Sequence, residues 1–164
     1  MKLRELFENS QYKIYCDLDG VLADFERGVK KLTGKYPHEQ SKKDMWNAIY
    51  SIPNFFQTLD WIPEGRNLWN YIKGWNPTIL TGLPASENGA QQKQLWCAEH
   101  LGRNVPVIVC RSADKQRYAE PNAILIDDRN DNIAQWKAQG GIGILHRTWP
   151  KTLNQLQKLG ITPL

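Results

Sequence analysis

Two pairs of carboxylates in this chain stand where side chains could do chemistry. Asp17 and Asp19 open the run Asp17-Leu18-Asp19-Gly20-Val21-Leu22-Ala23-Asp24-Phe25, and Asp127-Asp128 close the apolar run Ala123 to Ile126. Each pair follows a short stretch with strand character, which puts it at the carboxyl end of a strand, where open α/β sheets place their ligand crevice. If the two strands are neighbours, at least three carboxylates converge. Each close pair then repels by roughly 3 kcal/mol at ~5 Å and an effective dielectric of about 20, so a cation must compensate. Oxygen ligands without histidine or cysteine suit Mg²⁺, which keeps waters and accepts a substrate phosphate, better than zinc. A lone D-x-D is more often a turn or a helix cap; a second acid pair ending another strand reverses that preference.

Between the acid pairs lies Thr78-Ile79-Leu80-Thr81-Gly82-Leu83-Pro84. Thr81 could donate its hydroxyl to a phosphoryl oxygen while the Gly82 amide, unobstructed by a side chain, approaches the same group. Lys115, in Arg111-Ser112-Ala113-Asp114-Lys115, could bring a positive charge to a nucleophile and a transferring phosphoryl group. Alone, the first reads as a common turn and the second as a surface lysine.

The elements that must position these residues alternate between short apolar runs and longer helical patterns, which indicates α/β. Five strands are expected, at Tyr12 to Cys16, Thr78 to Leu80, Val107 to Cys110, Ala123 to Ile126 and Ile142 to Leu145. Helices are expected at Phe25 to Leu32, Gly65 to Lys73, Glu87 to Leu101, Asn130 to Gln139 and Pro150 to Leu159. About sixty residues separate the first two strands, whereas a crossover needs only about a dozen or more. Something is inserted there. Trp46, Ile49 and Tyr50 at helical spacing, then Phe55, Phe56 and Trp61 between prolines, indicate a small, mostly helical cap over about residues 27–63 of a single domain spanning 1–164. Gly140-Gly141-Ile142-Gly143 is not a phosphate loop, because no lysine or helix start follows it; it reads as a helix stop before the last strand.

The 164 residues suffice for one compact core. No stretch reaches the roughly 20 apolar residues of a membrane span, and the start, Met1 to Ser10, is amphipathic. A soluble, untargeted cytoplasmic protein with no membrane partner is expected. The three cysteines, Cys16, Cys97 and Cys110, are odd in number and lie among apolar neighbours, as buried reduced thiols would. The three histidines, His38, His100 and His146, have no ligand spacing and are read as structural. The net charge of +4 is uneven: Arg27, Lys30, Lys31, Lys35, Lys42 and Lys43 are opposed within their stretch only by Glu39, a field that favours an anionic substrate. The competing view is a set of solvated helix faces. Oligomeric state is left open, because several of the seven tryptophans must line the core.

The four stations, in this order, resemble the four motifs of the haloacid dehalogenase superfamily of phosphotransferases, from about Tyr12 to Leu145. The resemblance implies a Rossmann-like parallel five-stranded sheet with flanking helices and a cap inserted after the first motif. It also implies that Asp17 is the nucleophile, forming an aspartyl-phosphate, and that Asp19 is the general acid and later the base. Thr81 and Lys115 would hold the phosphoryl oxygens. Magnesium would be bound by Asp17, the backbone carbonyl of Asp19 and the pair Asp127-Asp128, with Asp128 favoured as the direct ligand.

A closer resemblance is to the 5′(3′)-deoxyribonucleotidases, which share Asp17 to Phe25, Phe55-Phe56 ahead of Ile62-Pro63, Lys93-x-x-Trp96, His100-Leu101-Gly102, and Asp114-Lys115 before Ile126-Asp127-Asp128. It implies a nucleoside monophosphate substrate, with Phe25 and Trp46 against the base. Where that family carries T-S-P, this chain has Thr81-Gly82-Leu83-Pro84. Lys93 matches a family lysine and competes with Lys115 for the place beside the phosphate, although its distance along the chain favours a helix surface or an outer contact. Arg129 either reaches substrate or pairs with an acid at the sheet edge. A rival substrate is the 3′-phosphate of a DNA or RNA end: Ile126-Asp127-Asp128-Arg129 followed by Trp136 resembles polynucleotide kinase phosphatase domains, and the basic stretch Arg27 to Lys43 could track a strand. A non-catalytic binding module is disfavoured, since without catalysis the repelling acids would only cost stability.

Overall fold

The computed structural model describes residues 12–86 and 88–164. The amphipathic opening Met1 to Ser10, and Glu87 as a helix start, lie outside the described residues. Strands β1 (Lys13–Cys16), β2 (Thr78–Gly82), β3 (Val107–Cys110), β4 (Ala123–Asp127) and β5 (Ile142–Leu145) form one sheet in the order β3-β2-β1-β4-β5, every pair parallel. This is the Rossmann-like α/β architecture expected. Two strands run further than their apolar runs. The ladder between β2 and β3 continues through Thr81↔Val109 and Gly82↔Cys110, and that between β4 and β5 through Asp127↔Leu145, so these polar residues are held as strand rather than as turn.

Central strands of a parallel sheet are buried on both faces, as β2 and β4 are along almost their whole length. Side chains then alternate between two layers. Ile14, Cys16, Ile79, Ile124 and Ile126 pack with Leu68 and Ile72 of α3 (Gly65–Ile72), Trp96 of α4 (Gly89–His100) and Leu156 of α6 (Trp149–Lys158). Tyr15, Leu80 and Leu125 pack on the other face with Ile133 and Trp136 of α5 (Asn130–Ala138). Trp136 donates its indole N–H to the Ala123 carbonyl at 3.1 Å, which fixes α5 against β4. The outer strand β3 is only half-buried, and so is Cys110 at its end, contrary to the expectation of three buried thiols.

The long β1–β2 connection holds α1 (Phe25–Thr33) and α2 (Lys42–Tyr50), which pack on each other. Asp24 caps α1 by accepting from the Arg27 amide at 3.1 Å, and Ser41 caps α2 by accepting from the Asp44 amide at 3.1 Å. Gly28 lets α1 approach the returning chain: a Cβ there would sit 2.3 Å from Leu59 Cδ2. That return is tied to α4, where Gln92 accepts from the Phe56 amide at 2.9 Å and Trp96 donates to the Leu59 carbonyl at 2.8 Å. Phe55 and Phe56 are core residues, each 3% exposed. Among the described residues no helix is long and apolar enough to cross a membrane.

Candidate active site

β1 and β4 are neighbours in register, Cys16 against Ile126, so their acidic ends emerge side by side. Asp17, Asp127 and Asp128 each offer a carboxylate oxygen, and these atoms all lie within 4.8 Å of one another. The turn after β1 makes room for them. Gly20 has φ of +84°, a conformation suited to glycine, and a Cβ there would stand 2.1 Å from Asp128 Oδ2. The amides of Leu22 and Ala23 both donate to the Leu18 carbonyl, curling the loop back over the sheet end.

Asp127 is turned into the protein. It is fully buried and accepts from Lys115 Nζ at 2.9 Å, Asn132 Nδ2 at 3.0 Å and the Arg129 amide at 2.9 Å. Asp128 is half-buried and faces the cavity, on the same side as Asp17. Lys115, delivered by the 3₁₀ turns of Ser112–Tyr118, also donates to Asp17 Oδ1 at 3.0 Å. Burial acts to lower its pKa, but the carboxylates of Asp17 and Asp127 outweigh it and the ammonium is held charged above the ordinary lysine range. Lys93 is the larger departure from expectation. It is no helix-surface lysine: α4 carries it over the end of β2, 4% exposed, where Nζ lies 2.9 Å from Asp19 Oδ2, 3.1 Å from Thr81 Oγ1 and 2.7 Å from the Gly82 carbonyl.

These residues floor a cavity of about 560 Å³ whose lining includes Asp17, Asp19, Thr81, Gly82, Lys93, Lys115, Asp128 and Arg129. The same cavity is also lined by the apolar rings of Phe25, Trp46 and Phe56. Phe25 lies 5.8 Å from Trp46 and stacks on Phe56 at 6.4 Å, whereas Phe55 lies behind them in the core. Arg129 lines the rim and is paired with Asp131 at 2.8 Å, both exposed. Asn132, Ser112 and Arg147, which the sequence does not single out, also line the cavity, and so does His146, expected to be structural. His146 and Arg147 immediately follow β5, so the rule that sheets bind ligands at their carboxyl ends would have found them. His146 does have a structural partner, Thr152 Oγ1 at 2.6 Å, and burial lowers its pKa. Burial pushes the Cys97 thiol up to about 12 and raises Cys16 well above its usual value, so neither is a competing nucleophile.

The donor set fits a hard divalent cation such as magnesium, being carboxylate oxygen with no sulfur in the cluster. Burial first, then the charges of Asp17 and Asp127, push Asp128 up to about 8. A carboxyl raised when folded binds a proton that the unfolded chain has released. Its penalty is absent below about pH 4 and grows until about pH 8. A bound cation replaces that proton, so Mg²⁺ should raise the melting temperature more at pH 8 than at pH 5.5, by about 5 °C or more at saturation. Equal or smaller stabilisation at pH 8, measured by thermal shift, would contradict this account.

No protein-family model matches the chain. Two curated relatives, provisionally named 5′(3′)-deoxyribonucleotidases, come from Bordetella pertussis and Bordetella bronchiseptica. They are 28% and 27% identical to it over alignments of 138 residues, covering 71% of this chain and 73% of each relative. Among solved structures, L-2-haloacid dehalogenase from Xanthobacter autotrophicus superposes with a TM-score of 0.51 at 12% identity, over 93% of this chain and 84% of that one. A haloacid dehalogenase family hydrolase from Deinococcus radiodurans, solved with bound phosphate and sodium, gives 0.50 at 13% identity, over 90% and 87%. In fold, this chain is similar to these haloacid dehalogenase hydrolases.

Proposed function

We propose that the protein is a magnesium-dependent phosphomonoesterase that acts on nucleoside monophosphates through a phosphoryl group carried on Asp17. The observation that carries this reading is the meeting of Asp17, Asp127 and Asp128 within 4.8 Å beside the buried ammonium of Lys115. Lys115 holds Asp17 Oδ1, which leaves the other oxygen of that carboxylate to attack phosphorus. Asp17, Asp128 and the backbone carbonyl of Asp19 would hold the magnesium, with Asp127 steadying Lys115 behind them. When bound, the cation supplies charge neutralisation and a fixed place for the substrate phosphate. Asp19 gives a proton to the leaving oxygen and later takes one from water. Thr81 and the Gly82 amide face the phosphoryl oxygens.

The nucleotide assignment draws on the two Bordetella relatives and on the aromatic rings of Phe25, Trp46 and Phe56, which line the same cavity as the acids. We read the segment of about 27–63, which supplies Trp46 and Phe56, as a cap over the site. The test is a panel with Mg²⁺: dUMP, dTMP, their 3′-phosphate isomers and a 3′-phosphorylated oligonucleotide, at two salt concentrations. Monophosphates should be hydrolysed at least about tenfold faster than the oligonucleotide, with little salt dependence. A preference for the oligonucleotide that weakens steeply with salt would replace this substrate class with nucleic-acid ends.

A further inference from the structure

Lys93 is a buried charge in search of a role. An ammonium has three N–H donors and no acceptor; this one donates to Thr81 Oγ1 at 3.1 Å and the Gly82 carbonyl at 2.7 Å and forms an ion pair with Asp19 Oδ2 at 2.9 Å. The Phe56 ring covers it with a centroid 4.9 Å away. Two of its donors are therefore spent in hydrogen bonds to Thr81 and Gly82, and the ion pair with Asp19 lies within reach of the third. Lys115 differs, because Asp17 and Asp127 take only two of its three N–H groups and one remains for a phosphoryl oxygen. The partner of Lys93 has a complementary asymmetry: Asp19 Oδ1 is buried with no protein hydrogen bond. With Oδ2 anchored, Oδ1 is the oxygen left to carry a proton. The Thr81 hydroxyl, accepting from Lys93, must aim its own hydrogen elsewhere.

We propose that Lys93 is a positioning residue that acts through Asp19, holding Oδ2 so that Oδ1 meets the leaving-group oxygen, and that it is not a phosphate ligand. The inference rests on the reading of Asp19 as proton donor. As the bond from phosphorus to the leaving oxygen breaks and that from phosphorus to Asp17 forms, the leaving oxygen keeps the electron pair and takes the proton from Oδ1. In the second step water loses a proton to Oδ1, its oxygen bonds to phosphorus, and the Asp17 carboxylate departs.

The test compares two leaving groups through kcat/KM, which reports the first chemical step. The alkoxide of a nucleoside 5′-monophosphate needs that proton; the phenolate of p-nitrophenyl phosphate leaves without it. With Mg²⁺, Lys93→Met should lose about 10²-fold on the nucleotide and less than about tenfold on the aryl ester. Both rates come from one preparation, so the folded fraction cancels in their ratio. Inhibition by orthovanadate should stay within about threefold of wild type, and adding Lys93→Met to Asp19→Asn should cost less than about threefold more on the nucleotide. Loss by the same factor on both esters, including loss of both to background, overturns the proposal, as does a tenfold weaker vanadate inhibition. If Asp19→Asn itself loses both esters equally, the reading of Asp19 has failed first and the role of Lys93 falls with it.

Discussion

Replacing Asp17 by asparagine should lower kcat on a nucleoside monophosphate by about 10⁴-fold or more, while the protein still folds. The amide is nearly isosteric and its oxygen can still accept from Lys115, which lies 3.0 Å from Asp17 Oδ1. What it lacks is the anionic oxygen that attacks phosphorus, and removal of a covalent nucleophile from a cooperating set costs on the order of 10⁴ to 10⁶ in rate. Asp17 also bears part of the charge that pushes Asp128 upward, so the variant should bind Mg²⁺ more weakly. Intact-mass measurement after acid quench supplies a second readout. Wild-type protein caught during turnover should carry the added mass of one phosphoryl group on the peptide containing Asp17, and the variant none. A variant within tenfold of wild type, or a phosphoryl group on another residue, would remove Asp17 from the nucleophile's role.

That prediction was within reach of the amino-acid sequence because strands and acids obey short-range rules. β1, β2 and β4 are buried on both faces, so they read as apolar runs, and whatever polar residue ends each run sits at the crevice. Lys93 was not legible in the same way. The buried side of α4 mixes Gln92 and Lys93 with Trp96 and Cys97, so periodicity does not mark which face meets the sheet. Its burial is set by tertiary partners, Asp19, Thr81 and Phe56, from three separate segments. Asn132 escaped for a related reason: in the first turn of α5 it reads as an ordinary helix-start residue, and only the return of α5 across β4 brings its amide to Asp127. Cys110 went astray because β3 is an outer strand, a place in the sheet order that its Val-Ile-Val run does not disclose.

Lys115→Met should be the most destabilising single change in the site. Lys115 is 2% exposed and its ammonium stands between Asp17 and Asp127, with Asp128 close to both. Methionine fills similar volume but leaves those carboxylates without that cation. Removing one partner of a buried ion pair costs about 3–5 kcal/mol, roughly 6–20 °C in melting temperature for a chain of this size. The sign holds across the working pH range. Because the folded pKa of Lys115 is raised, its contribution is complete below the unfolded lysine value of about 10.4 and fades only as pH climbs through the higher folded value. If uncompensated charge is the cause, two remedies should each recover a substantial part of the loss: saturating Mg²⁺, and a second change, Asp127→Asn, which removes one of the orphaned charges. A drop of under about 2 °C, or a drop that neither remedy reduces, would mean that Lys115 contributes packing rather than charge, and the carboxylates would need another explanation for sitting so close together.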